Sequence, residues 1–115
     1  MNDIELINTP ITRQRLKEIA ERRFGDMVKG VVDVEKEIMA LGGELHADEE
    51  AYLLENGSLQ KNLWGINLYP DLSMPDFLEY DSMINLRPSQ NNRSRGVENP
   101  SIRKQIESIV GKLVP

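Results

Sequence analysis

Cysteine is absent from the 115 residues, so neither a disulfide framework nor thiolate chemistry is open to this chain. That absence fits a reducing compartment. No apolar run approaches the roughly 18–20 residues of a membrane span. The opening MNDIELINTP has no basic n-region and no apolar h-region, so no signal peptide is expected and the cytoplasm is the expected location. A single histidine excludes a zinc site built from several. Aromatic residues are few, and Phe24, Tyr52, Trp64, Tyr69, Phe77 and Tyr80 are not interleaved with basic ones, which speaks against an RNA-stacking platform. The glycine patterns of phosphate cradles are missing, as is the Gly-x-Ser-x-Gly elbow of serine hydrolases. No cofactor and no metal is expected.

What is present suits a soluble domain. Hydrophobic residues make up 39% and charged residues 29%, and the length is that of one domain spanning 1–115. The net charge of −5 argues against nucleic acid as a partner. Its distribution is uneven. Residues 1–86 hold 8 basic against 17 acidic side chains, and residues 87–115 hold 6 against 2. The basic part is concentrated in Ile84 to Gln105, INLRPSQNNRSRGVENPSIRKQ.

Patterning predicts an α+β domain. Asp3 to Ile7 alternates as a short strand. Thr12 can cap a helix carrying Leu16, Ile19, Ala20 and Phe24 on one face, and Gly25 can end it. Met27, Val31, Val34, Ile38 and Leu41 recur at helical spacing and predict a second helix, with Gly42-Gly43 as its stop. A hairpin competes because valine favours strands, but the middle of the segment shows no turn chemistry. From Leu45 to Leu53 the period is two. Asn56-Gly57 then reads as a hairpin turn into a strand over Asn62–Tyr69. A third strand is expected from Leu78 to Leu86, closed by Pro88. Asn99-Pro100 starts a last helix with Ile102, Ile106, Ile109, Val110 and Leu113 in phase. The expected architecture is a small antiparallel sheet, a three-stranded meander plus an N-terminal edge strand, covered on one face by three helices. The helix over 27–41 is expected to pack on Trp64, Ile66, Ile84 and Leu86.

The segments GGELHADEEAYLLENGS, LWGINLYPD and SMINLRPSQNNRSRG resemble an uncharacterised family of small prokaryotic proteins, a domain of unknown function. The likeness runs from about Ile4 to Leu113. It implies a one-domain, cytoplasmic, prokaryotic protein and brings no activity or site with it.

Three constellations carry chemistry. LHADEE offers His46 with Asp48 and Glu50 for acid–base work. On a strand these three would point the same way, about 7 Å apart, too wide for one metal. The loop after the third strand offers Arg87, Gln90, Asn92, Arg93 and Arg95, whose guanidinium forks suit carboxylates and phosphates. The competing account has these arginines pairing with the acidic segment Glu44 to Glu55. Strand parity also places Asn67 and Tyr69, and Glu79, Asp81, Met83 and Asn85, on a polar sheet face that leads into that loop. Two function classes stay open. One is a binding module for a small anion or an acidic protein segment, using Asn67, Asn85 and the arginine loop. The other is an enzyme using His46 with a carboxylate on an anionic substrate. They part on whether His46 and the arginine loop line one pocket.

Overall fold

The computed structural model describes residues 3–115. The elements, in chain order, are β1 (Glu5–Ile7), α1 (Arg13–Glu21), β2 (Val28–Asp33), β3 (Ile38–Leu41), α2 (His46–Glu55), β4 (Leu63–Leu68), β5 (Leu78–Glu79) and α3 (Pro100–Leu113). All strand pairs are antiparallel, in the order β1-β3-β2-β4-β5. The α+β class and the antiparallel sheet are as the sequence predicts, with five strands in the sheet. Among the described residues, no helix is long and apolar enough to cross a membrane.

Local chemistry explains the elements that patterning captures. The Thr12 hydroxyl accepts from the Arg15 N–H at 2.9 Å and opens α1. Gly25 takes φ +90° just beyond its end. The Asn99 side chain accepts from the Ser101 N–H at 2.8 Å, and Pro100 occupies the first turn of α3.

Several expectations are overturned. The segment over 27–41 is not a helix but the hairpin β2–β3. Its turn chemistry lies at Asp33, just before the turn, where Oδ1 accepts from the Glu35 and Lys36 N–H groups, both at 3.0 Å. Glu37 completes the turn with φ +56°. Given a workable turn, the β-propensity of the valines decides the element. The segment 45–53 is not a strand but most of α2. Asn56-Gly57 is therefore a helix stop: Ser58 N–H bonds Leu53 C=O at 3.0 Å and Gly57 N–H bonds Leu54 C=O at 3.2 Å, with Gly57 at φ +97°. The third strand shrinks to Leu78–Glu79 and gives way to a 3₁₀ turn at Met83–Asn85.

The helices lie on both faces of the sheet rather than one. Val28, Val32, Met39, Leu41, Trp64, Ile66 and Leu68 point toward α1 and α3, where Leu16, Ile19, Ile106, Ile109 and Leu113 complete the main core. The alternate residues Val31, Ala40 and Leu63 meet Leu53 of α2 on the other side. Trp64 thus packs toward α1 and α3, away from Val31. The second face has little apolar surface, and α2 covers only part of it. The uncovered part holds the polar residues.

Candidate functional site

One rung of the sheet forms the floor of a cleft beside α2. Lys29 of β2 pairs with Asn67 of β4, and Asn67 pairs with Glu79 of β5. All three side chains belong to the α2 face by strand parity. Leu45, His46 and Ala47 at the start of α2 form one wall. Asp81, Ser82, Met83 and Ile84 form the other, joined by Arg95. Met27 and Tyr69 close the ends, and the cleft encloses about 480 Å³.

His46 is nearly buried, and its Nε2 lies 2.8 Å from the Ile66 carbonyl oxygen. A carbonyl only accepts, so Nε2 carries the proton and Nδ1 is the ring's lone-pair acceptor. Burial pushes the His46 pKa below its ordinary value, and the nearby Lys29 charge adds to that, against the hydrogen bonds to Ile66 and to the Asn67 side chain and the charge of Asp81. The ring is therefore held neutral in one tautomer.

Asn67 is 5% exposed. Its Nδ2 donates to Glu79 Oε1 at 2.9 Å and to the Asp81 carbonyl at 3.2 Å, its Oδ1 is shut off from solvent, and its side chain also meets the His46 ring. Tyr69 donates to the same Glu79 oxygen at 2.9 Å. Burial and that carboxylate push the Tyr69 hydroxyl up to about 12. Arg95 Nε meets Asp81 Oδ1 at 2.6 Å on an exposed edge. Lys29 lies over the Phe24 ring, 5.2 Å from its centroid, and among the described residues no carboxylate closes on it. The helix offers donors as well. The N–H groups of the first residues of an α-helix have no intrahelical acceptor, and no side chain caps α2.

The other residues predicted from sequence lie elsewhere. Arg87 is 8% exposed and turned inward. Its guanidinium donates to the carbonyls of Ile84 (3.0 Å), Gln60 (2.8 Å) and Leu63, and lies 4.4 Å from the Trp64 ring centroid. Gln90 accepts from Arg87 and donates to the Lys61 carbonyl. Asn85 and Asn92 are buried, and their amides donate to backbone carbonyls of the loop and of β4. The Arg93 backbone N–H bonds Glu98, and its side chain is exposed away from the cleft. Asp48 lines a second, acidic cleft with Arg23, Glu44, Tyr52 and Glu55. Glu50 is half-buried, one helical turn beyond His46. The helix explains why Asp48 leaves the cleft: residues two apart on a strand share a face, whereas on a helix they diverge, and Glu50, four residues on, stays on the His46 side but a turn farther along.

The structure thus brings His46, Asn67 and Arg95 together with Tyr69, Glu79, Asp81 and Met83 of the polar face. Sequence reasoning missed Lys29, Leu45 and Ser82. A lysine inside the apolar run Val28 to Val32 is the available signal, and it marks an inward-facing strand position only once the hairpin is recognised.

A family described as "Protein of unknown function (DUF5674)" matches residues 5–113. The chain belongs to this family. No curated protein and no solved structure matches it. The family description names no activity, so the chemistry of the cleft rests on its geometry.

Proposed function

We propose that the chain is a small binding domain that takes a small anionic ligand in the cleft between α2 and β5. The observation that carries this reading is the meeting of Lys29, which makes no close ion pair among the described residues, with the uncapped first turn of α2 and His46. A lysine ammonium and free N–H groups at a helix start both favour a carboxylate or phosphate. Arg95, the one residue of the arginine loop that lines this cleft, adds positive charge at the far wall. The loop's remaining amides and Arg87 hold its backbone and position Arg95 and Ser82, whose N–H bonds the Arg95 carbonyl at 2.9 Å.

A second reading, acid–base chemistry on an anionic substrate, has one observation in its favour. His46 is fixed in a single neutral tautomer with Nδ1 as an available base, in the same cleft as Asp81 and Glu79. Asp48 does not belong to this constellation.

The test is an NMR titration of the ¹⁵N-labelled protein with acetate and with inorganic phosphate. Saturable shifts of the His46 and Ala47 amides, lost in Lys29→Met, support the anion site. Unmoved resonances at both amides with both anions overturn it.

A further inference from the structure

The buried residues of α2 are His46, Glu49 and Leu53, and the first two titrate. Each of those two ends on a backbone group: His46 Nε2 on the Ile66 carbonyl at 2.8 Å, and Glu49 Oε2 on the Gly43 N–H at 2.9 Å. Leu53 packs with Val31, Ala40 and Leu63, and half-buried Tyr52 joins them. Just beyond the helix, the Ser58 hydroxyl donates to Asp33 Oδ2 at 2.6 Å. The C-terminal half is thus seated by apolar packing and this bond, whereas the N-terminal half rests on two titratable side chains.

The surroundings suit movement. Gly42 before the helix takes φ +93° and Gly57 after it φ +97°. Small residues at element ends are common hinge positions. Clefts run along both flanks, one lined by His46 and Ala47 and the other by Asp48 and Glu55. A helix with a short apolar seam and two open flanks belongs to the low-stability end of a fold. Glu49 is fully buried with Oε1 unpartnered, a place where a carboxylate is tolerated only while it holds its proton.

We propose that α2 is a proton-controlled lid: its N-terminal half swings off the sheet about the Leu53–Ser58 end when His46 gains a proton or Glu49 loses one. Leu45, His46 and Ala47 leave with it, and the cleft opens at Lys29. The proposal goes beyond the anion reading and does not rest on it.

The charges acting on the two groups are Lys29 of β2 on both, Asp81 on His46, and Asp48 of α2 itself on Glu49. Tyr69, Glu79 and Arg95 also line the cleft beside His46, and β3 and β4 carry no titratable side chain. Docked, burial holds His46 neutral and Glu49 protonated; released, each returns toward its ordinary value, 6.5 and 4.5. Opening is therefore favoured through His46 as pH falls below 6.5, and through Glu49 as pH rises above 4.5. Each proton contributes up to about tenfold per pH unit until the docked value is passed.

Amide hydrogen exchange of the full chain from about pH 5 to 8 tests this, with protection in α2 (Ala51 to Leu54) compared with Val31 and Val32 of β2. The α2 amides should be at least about tenfold less protected, as a unit that opens separately. In Glu49→Gln their protection should fall as pH drops below 6.5. In His46→Gln it should fall as pH rises, and in the double variant it should be flat. The β2 amides show that each variant is folded. Equal protection of α2 and β2 at every pH would mean that the helix leaves only with the whole fold, and would overturn the lid. Lower α2 protection that ignores pH in both single variants, the mark of end fraying, would overturn it too.

Discussion

Asn85 holds both backbone polar groups of Gly65. Its Oδ1 accepts from the Gly65 N–H at 2.8 Å, and its Nδ2 donates to the Gly65 carbonyl at 3.0 Å and to the Arg95 carbonyl at 2.9 Å. A side-chain amide thus replaces the strand neighbour that β4 loses when β5 stops at Glu79. The approach is close: a Cβ on Gly65 would lie 2.5 Å from the Ser82 Cβ.

Asn85→Ala should therefore strand both Gly65 backbone groups in a buried site, while the Arg95 carbonyl keeps the Ser82 N–H, and destabilise the fold by roughly 2–4 kcal/mol, given about 1–3 kcal/mol for each unsatisfied group without full additivity. Gly65→Ala should cost about 1–3 kcal/mol through overpacking against Ser82. Urea titration checks both. A loss under 0.5 kcal/mol in Asn85→Ala, on the order of a surface change, would mean that water or rearrangement replaces the amide.

Arg87 is a test of what the basic loop is for. Three carbonyls and the Trp64 ring surround its guanidinium, whose pKa burial pushes below its ordinary value against the pull of Glu50. Arg87→Ala should lower stability by about 2–4 kcal/mol, the range for breaking buried charged hydrogen bonds. Arg87→Lys should recover less than half of that loss, because an ammonium cannot reproduce the planar fork or the stacking. Arg93→Ala, at an exposed side chain, should stay within about 0.5 kcal/mol. Thermal melts of the three variants give the ranking.

These residues also show where sequence is a good guide and where it is not. β1, α1, β4 and α3 announce themselves because capping residues and apolar spacing agree. The β2–β3 hairpin is hidden because its turn uses an Asp side chain and a glutamate at positive φ in place of Asn-Gly. Helix α2 is hidden for a different reason. Its buried positions are His46, Glu49 and Leu53, at helical spacing, but two of the three are polar and no hydrophobic stripe can reveal them. Asn56-Gly57 fits a hairpin and a helix stop equally, since both want positive φ at the glycine. Strand parity places Asn67 and Glu79 on one face, but not Asp81, Met83 and Asn85, which lie beyond the end of β5. The division of labour within the loop was not legible, because Asn and Arg look alike in sequence whether they turn to solvent or to the backbone.

Glu49 supplies a pH prediction. It is fully buried in α2, with Oε2 accepting from the Gly43 N–H at 2.9 Å and Oε1 unpartnered. Burial raises its pKa well above the usual carboxylate value of 4.5, outweighing that N–H. The unfolded chain gives up the proton near 4.5 and the folded chain keeps it, so the stability linked to Glu49 is full below 4.5 and declines as pH rises toward the folded value. Glu49→Gln keeps an acceptor for Gly43 and removes the titration. It should be more stable than the parent at pH 7–8, and the advantage should shrink at pH 4. A variant less stable than the parent at pH 8 would show that the carboxylate is needed ionised.

His46 carries the opposite sign. Its folded pKa lies below the ordinary 6.5, through burial first, so above 6.5 both states are neutral and the linked stability is complete. As pH falls below 6.5 the unfolded chain takes up a proton that the folded chain refuses, and stability declines until the folded value is passed. His46→Gln can place an amide N–H on the Ile66 carbonyl without titrating. It should match the parent within about 1 kcal/mol at pH 8, the net worth of an ordinary hydrogen bond, and lose less stability than the parent between pH 6.5 and 5. His46→Ala should be weaker at every pH, since it removes the buried ring and its hydrogen bond to the Ile66 carbonyl. Because Glu49 tilts the same pH range the other way, the comparison is made in a Glu49→Gln background as well, where the His46 slope stands alone. The tautomer is read directly from the imidazole ¹⁵N shifts. A protonated Nδ1 at pH 8 would place the lone pair on Nε2, contradict the bond to Ile66, and remove the base on which the acid–base reading of the cleft depends.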